Sequence, residues 1–381
     1  MKNILRLACL AILALTVAGC GQKPQVPEKT IVAAYVDIEK AYENGQLLTK
    51  SIINAFPAPA RSNAVQKYEK VIKYIDKYKD TLNPKWAVIA FSGTFEDISR
   101  APYESIAMAI RIDTDEKTAD DMLKQWVAER AGGKDVVPDM RKNGVIYEIY
   151  SFYAGRIKDD FLILANSKEA FMDMFNLYSG KAKPSKDFPK LARISGNTVA
   201  RISTAPIHRL IDRFELAEEI EKFGAVSDDE DLADMILNLG TITLDILADG
   251  DDIGLSLRIV CGSSGDAKLF EHVFQTISFL SRAGFDLSAY LAENPDRVPE
   301  KFSRCRNIIS QTGFFFNAAA HAVNAARDGR IAEITFATSM DMLSKAVAKF
   351  IIPDEPAKTN SAVIETPAEN HEAPPADFMA P

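Results

Sequence analysis

The sequence predicts an α+β protein of two duplicated domains, each running β-α-α-β-β-α-β-β-α, with antiparallel sheets and helices mainly on one face of each. Three observations predict it. Apolar residues switch between period two and period 3.6 in that order, twice over. Corresponding elements lie about 150–170 residues apart, the length of an ordinary domain. Asp-Gly turns stand between alternating apolar runs, a strong hairpin signal. A hydrophobic content of 47 % is that of a globular chain, and the length suits two domains.

The folded part divides into a first domain over 30–190 and a second over 191–352. The first opens with an apolar strand, Ile31 to Asp37, that runs into a helix at Ile38. The second opens with Thr198 to Ser203, followed by a helix through His208, Leu210, Ile211 and Phe214. A further helix follows in each. Val65, Tyr68, Val71, Ile72, Ile75 and Tyr78 form one helical stripe; Lys67, Lys70, Lys73 and Lys77, with Tyr74, offer a glycan or anionic-partner face, but the wet side of an amphipathic helix explains them better. In the second domain Ser227 to Glu230 has the form of a capping box ahead of Leu232, Met235, Ile236 and Leu239.

A strand pair and a helix come next. The first domain has Trp86 to Phe95, Glu104 to Asp113, and a helix with Ala119, Met122, Leu123 and Trp126 on one face. The second has Thr241 to Leu247, a turn at Asp249-Gly250, Ile253 to Val260, and a helix with Leu269, Phe270, Val273, Phe274 and Ile277 on one face. Both helices are expected to end on glycine, at Arg130-Ala131-Gly132 and Arg282-Ala283-Gly284.

Each domain closes with a hairpin and a helix. The first has Val145 to Phe152, Asp160 to Ala165, and a helix through Phe171, Met174, Phe175 and Tyr178. The second has Phe314 to Val323, a turn at Asp328-Gly329, Ile331 to Ala337, and a helix through Leu343, Val347, Phe350 and Ile351. Asn317 to Ala322 has good helix propensity. It is read as strand because its counterpart and the Asp-Gly turn both require a hairpin. Val145 to Tyr153 and Trp86 to Phe91 carry large apolar groups on both strand faces, so both faces are expected to be covered. Helices on both sides, sheet-to-sheet packing or a ligand groove all meet that demand.

The N-terminus carries the most specific motif. Lys2 and Arg6 precede an uncharged run from Leu7 to Val17, which is too short for a bilayer core needing about 20 residues. Small residues then lead into a cysteine: Val17-Ala18-Gly19-Cys20. This stretch resembles the lipobox of bacterial lipoproteins. The resemblance implies a signal peptide over 1–19, cleavage before Cys20, and a diacylglyceryl group on its sulfur. Gly21 to Lys29, with Pro24 and Pro27, reads as a tether that lifts the folded part off the membrane, so the lipidated tether spans 20–29. Gly21, in place of an aspartate, implies outer-membrane sorting where two membranes exist. Removing residues 1–19 takes Lys2 and Arg6 and no acid, so the net charge of −8 becomes −10. That balance argues against nucleic acid and against electrostatic adhesion to anionic lipid. From Pro353 the chain is rich in Pro, Ala and Glu and is expected to be a disordered tail over 353–381.

The folded part is similar to an uncharacterised group of bacterial envelope proteins built of repeated strand–strand–helix units. Asp160 to Ala170, Phe188 with Leu191, and a strand entering a helix at Ala205-Pro206 carry that similarity. In that group a strand ends on a small polar residue that caps the next helix, a role open here to Asn166 or Ser167. The group implies a fold and no chemistry.

Four cysteines are present. Cys9 leaves with the signal and Cys20 takes the lipid. Cys261 and Cys305 remain, outside the cytosol, as either a disulfide or two buried thiols. Gly262-Ser263-Ser264-Gly265 looks superficially like a nucleophile motif, but no acid–histidine pair accompanies it, and a turn with a helix cap explains it better. His208, His272 and His321 show no metal-ligand spacing. Asp249 to Asp252 lacks the spaced ligands and terminal glutamate of a calcium loop and reads as a solvated turn. No cofactor and no metal are expected. The reading that follows is a lipid-anchored envelope protein that binds a partner protein, glycan or apolar ligand, or serves as a spacer. A hydrolase with an unrecognised active site is the alternative.

Overall fold

The computed structural model describes residues 23–351 except 57, 94–104, 134–135, 142, 158–159, 190, 192–193, 195, 219, 221, 223–229, 295–296 and 298–322. The expected strand from Phe314, the capping box at Ser227, Cys20, Cys305, His321 and the tail lie outside them.

The molecule is α+β, as the sequence predicts. Among the described residues twelve strands form one antiparallel sheet. In chain order they are β1 (Val32–Asp37), β2 (Trp86–Phe91), β3 (Ile106–Arg111), β4 (Asp139–Arg141), β5 (Gly144–Ile149) and β6 (Phe152–Ile157). β7 (Phe161–Ala165), β8 (Thr198–Thr204), β9 (Ile242–Asp249), β10 (Asp252–Val260), β11 (Asn324–Asp328) and β12 (Ile331–Ser339) complete them. Their order across the sheet is β11-β12-β10-β9-β8-β1-β2-β3-β7-β6-β5-β4. The two opening strands, β1 and β8, pair with each other from Val32↔Thr204 to Val36↔Ala200. Both expected domains therefore share one sheet. Outward from that pair each half runs first, second and third strand, then a hairpin with its later strand inward: β1-β2-β3-β7-β6 and β8-β9-β10-β12-β11.

The helices are α1 (Ile38–Ala55), α2 (Ala58–Leu82), α3 (Glu116–Arg130), α4 (Lys168–Tyr178), α5 (Ile207–Arg213), α6 (Glu230–Leu237), α7 (Ser264–Glu293) and α8 (Met340–Ile351). They cover both faces of the first half, which corrects the expectation of helices mainly on one face, because these strands are apolar on both sides. Ala33, Tyr35, Trp86, Val88, Ala109 and Ile163 lie under Phe171, Met174, Phe175 and Tyr178 of α4. Alternate residues of the same strands, Ala87, Ile110 and Leu162, lie under Ile38, Tyr78, Leu82, Ala119, Met122 and Leu123 on the other side. Of the three ways to cover a strand apolar on both sides, helices on both faces is the one realised here. Phe171, Met174 and Phe175 are wholly buried, each contributing roughly 1.5–3 kcal/mol. α8 runs against α1 across the junction of the halves.

Local signals explain most boundaries. Asp37 caps α1 by accepting from the Lys40 N–H, and Asp115 caps α3 by accepting from that of Thr118. Ser167, rather than Asn166, caps α4 by accepting from the Ala170 N–H. The Asp249-Gly250 and Asp328-Gly329 turns form as expected, with φ of +60° and +58° at the glycines.

Four further expectations are corrected. Val145 to Phe152 is two strands, because Tyr150 turns into the left-handed region at φ +56° and the chain folds back with Ile149 opposite Phe152. Gly284 does not end its helix; α7 runs on to Glu293. One interior glycine costs a helix about 1 kcal/mol, which a run of thirty residues absorbs, whereas Gly132 sits at φ +70° just past α3. The tether to Lys29 is docked in its latter part. Val26 is buried against α4, its carbonyl accepts from the Ser185 N–H, and Tyr178 exchanges hydrogen bonds with Gln25. The stripe on α7 is packed only in part. Phe274 faces the sheet, while Leu269, Val273 and Ile277 are 50 %, 43 % and 48 % exposed.

Candidate functional site

The sheet places a charged cluster beside the junction of the halves. On one face, Tyr35 of β1 stands opposite Arg201 of β8, Arg201 opposite Asp245 of β9, and Asp245 opposite Ser256 of β10. The same face continues through Arg258 opposite Glu333 and Ser256 opposite Thr335. The strand period of two aligns them, since directly paired residues share a face. Arg201 grips Asp245 through two bonds, Nε to Oδ1 at 2.6 Å and Nη2 to Oδ2 at 2.8 Å. Arg258 adds a third from its Nη2 to the same carboxylate. Glu333 accepts from the Ser256 hydroxyl and lies 3.8 Å from the Arg258 Nε. Ser203 and Thr243 share a 3.2 Å hydroxyl contact alongside.

Burial is graded across this cluster. The Asp245 side chain is wholly buried and that of Arg201 is 8 % exposed, whereas Arg258 and Glu333 are about one-third exposed. Burial lowers the affinity of both guanidinium groups for their protons, and the Tyr35 hydroxyl is pushed up to about 12 by the same cause, with Asp37 adding to it. Two cations meet two anions, so the charge is balanced. What the arrangement does is tie four strands together. A bidentate arginine–carboxylate fork fixes relative geometry as well as contributing energy. Arg156 does similar work in the first half. From β6 it reaches Asp120 and Glu116 of α3 at 2.5 and 2.7 Å and clamps that helix to the sheet.

Sequence reasoning passed over Arg201, Asp245, Arg258 and Glu333. A polar residue at every second strand position reads as a solvent-facing one. The available signal was that Arg201 and Ser203, Thr243 and Asp245, Ser256 and Arg258, and Glu333 and Thr335 repeat the same period in four strands.

The residues singled out for chemistry stay apart. Ser263 is the N-cap of α7, its Oγ accepting from the Asp266 N–H at 3.1 Å while Asp266 accepts from the Ser263 N–H at 2.8 Å. The Ser-Gly stretch is thus a capping box, as the turn reading expected. Its hydroxyl is committed to the helix end. His208 is exposed on α5, and His272 is exposed on α7, 3.4 Å from Gln275. Asp249, Asp251 and Asp252 are exposed around their turn. Among the described residues no group of His, Cys, Asp and Glu is arranged to hold a metal ion. Cys261 is buried beyond β10 against Ala267, Phe274 and Ala332, and burial pushes its thiol up. Its suggested partner Cys305 is not among the described residues.

No helix among the described residues is long and apolar enough to cross a membrane. No protein-family model matches the chain, and no curated protein matches it by sequence. Among solved structures the chain is similar to TP0453 in several crystal forms. Crystal form I shares 10 % identity at a TM-score of 0.36, over 86 % of this chain and 99 % of that one. Form III shares 10 % at 0.38, again over 86 % and 99 %. Form IV shares 11 % at 0.38, over 85 % and 97 %. A likeness of that degree assigns neither family nor activity.

Proposed function

We propose that this chain is a bacterial envelope lipoprotein, held at the membrane through Cys20, whose folded part binds a partner or serves as a scaffold rather than catalysing a reaction. The observation that carries the reading is Val17-Ala18-Gly19-Cys20 after a short apolar run. Two or three acyl chains hold a protein far more firmly than one. A binding role is supported by the apolar side of α7, where Leu269, Val273, Ile277 and Leu280 recur at helical spacing and are 43–61 % exposed. The hydrolase alternative would draw on Ser263, whose hydroxyl already serves as a cap. Duplication of one unit is supported by the matching order of the first five strands outward in each half, to which the first half adds β5 and β4.

Cys20→Ser tests the anchor. The substituted protein is expected in the soluble envelope fraction, without the acyl mass that the parent carries. A Cys20→Ser protein that remains acylated and membrane-bound overturns the reading.

A further inference from the structure

The docked N-terminal segment gathers lysines that are scattered in sequence. Ser185 N–H bonds the Val26 carbonyl at 2.9 Å, Pro27 bridges to Pro184, and Gln25 pairs with Tyr178 at the end of α4. Lys23 therefore lies next to the loop carrying Lys181, Lys183 and Lys186, and all four are exposed. None of them forms an ion pair with a described residue, while the nearby acids are largely spoken for. Asp187 is held by Arg209 at 2.7 Å, and Glu169 and Asp173 are held by Lys29. Glu28 stands exposed as the remaining acid of the segment. The corner is basic on a chain whose net charge is −8.

We propose that this corner, formed by Lys23, Lys181, Lys183 and Lys186, is a docking face for the anionic headgroups of phospholipids. The inference rests on the reading of Cys20 as the anchor. Cys20 is three residues before Lys23, so the two Cα atoms lie no more than about 11 Å apart whatever path the chain takes. A lipid on Cys20 thus brings these lysines to the headgroup layer. The acidic remainder of the molecule is repelled from the same surface, so the charge asymmetry turns this corner inward and the rest of the sheet outward. The expectation drawn from net charge, that no basic patch assists the membrane, is replaced by a local one. A lysine near an anionic surface strengthens binding roughly fivefold, and three by on the order of a hundredfold.

The test separates this idea from the anchor. The mature chain carrying Cys20→Ser is sedimented with vesicles of phosphatidylcholine alone and of phosphatidylcholine with phosphatidylglycerol, at low salt. Binding is expected only to the mixed vesicles, weakening as salt screens it. K181E/K183E/K186E, which removes three positive charges and adds three negative ones, should reduce it by at least the order of a hundredfold, with an unchanged circular dichroism spectrum. K67E/K70E/K73E, which alters three exposed lysines of α2, should cost much less. Equal binding to both vesicle types, or equal loss in the two triple variants, overturns the proposal. Loss of vesicle binding to inorganic phosphate at matched ionic strength also overturns it, in favour of a free-anion site. Failure of the anchor reading shows instead in cell fractionation and leaves the vesicle result standing.

Discussion

Asp245 is the residue with most at stake. Its carboxylate is wholly buried and answers two guanidinium groups. Asp245→Asn keeps the shape but leaves Arg201 buried without its counter-charge, so about 3–5 kcal/mol of stability should be lost in urea titration. Glu116→Gln removes a carboxylate that is 55 % exposed beside Arg156 and should cost under about 1 kcal/mol, because water replaces it. Burial raises the phenols of Tyr42, Tyr78 and Tyr178 as well as that of Tyr35, so Tyr35 supplies one share of the pH dependence. Its folded pKa is raised from 10.0 to about 12 by burial, so the folded state keeps a proton that the unfolded chain gives up. That stabilisation is complete below pH 10 and is lost as pH rises toward 12, at about 1.4 kcal/mol per unit. Phenolate absorbance should therefore show part of the eleven tyrosines titrating only together with unfolding, and Tyr35→Phe should make the loss of stability above pH 10 shallower while Tyr42, Tyr78 and Tyr178 sustain the rest.

At the scale of elements, glycine positions separate helix interior from helix end. Gly45 lies within α1 with open space where a Cβ would go, whereas Gly132 holds φ +70° after α3. Gly45→Ala is expected to stabilise by roughly 0.5–1 kcal/mol and Gly132→Ala to destabilise by about 1 kcal/mol or more. Opposite shifts of the thermal midpoint would show it. The edge strands reflect a second constraint. β4 is three residues long with exposed Asp139 and Arg141, and β11 exposes Arg327 and Asp328. Short, charged edges discourage pairing with another chain, which a sheet of this width needs at both ends.

Across the whole molecule, the β1–β8 ladder is the seam that joins the two halves. It runs five residue pairs, and Val36, Ala41, Val199 and Ala200 pack into one cluster over it. Arg213 of the second half reaches the carbonyls of Lys29 and Ser92 in the first. Opening either half would strip a sheet edge and leave these groups unpartnered. Both tryptophans, Trp86 and Trp126, lie in the first half, so their fluorescence reports that half while far-ultraviolet circular dichroism reports both. The two unfolding curves should coincide; separated midpoints would mean that the halves melt independently.

Much of this was legible in the chain. Apolar periodicity and the Asp-Gly turns located β9, β10, β12, α3, α4 and α8, because those signals are local and need only a few residues to act. The Ser263 cap and the wet lysine face of α2 were readable for the same reason. Gly284 misled, since a glycine ends a helix only where the chain actually turns left-handed, and longer-range packing sets that. Tyr150 misled in the opposite direction, its left-handed turn being unusual for a bulky residue. Which strands adjoin was beyond local signals altogether. The union of both halves through β1 and β8, the meeting of Arg201 with Asp245 forty-four positions away, and the gathering of Lys23 with Lys181, Lys183 and Lys186 all depend on contacts between distant segments. Such contacts exist only once the sheet has closed, so composition could report a net charge of −8 but not the basic corner within it.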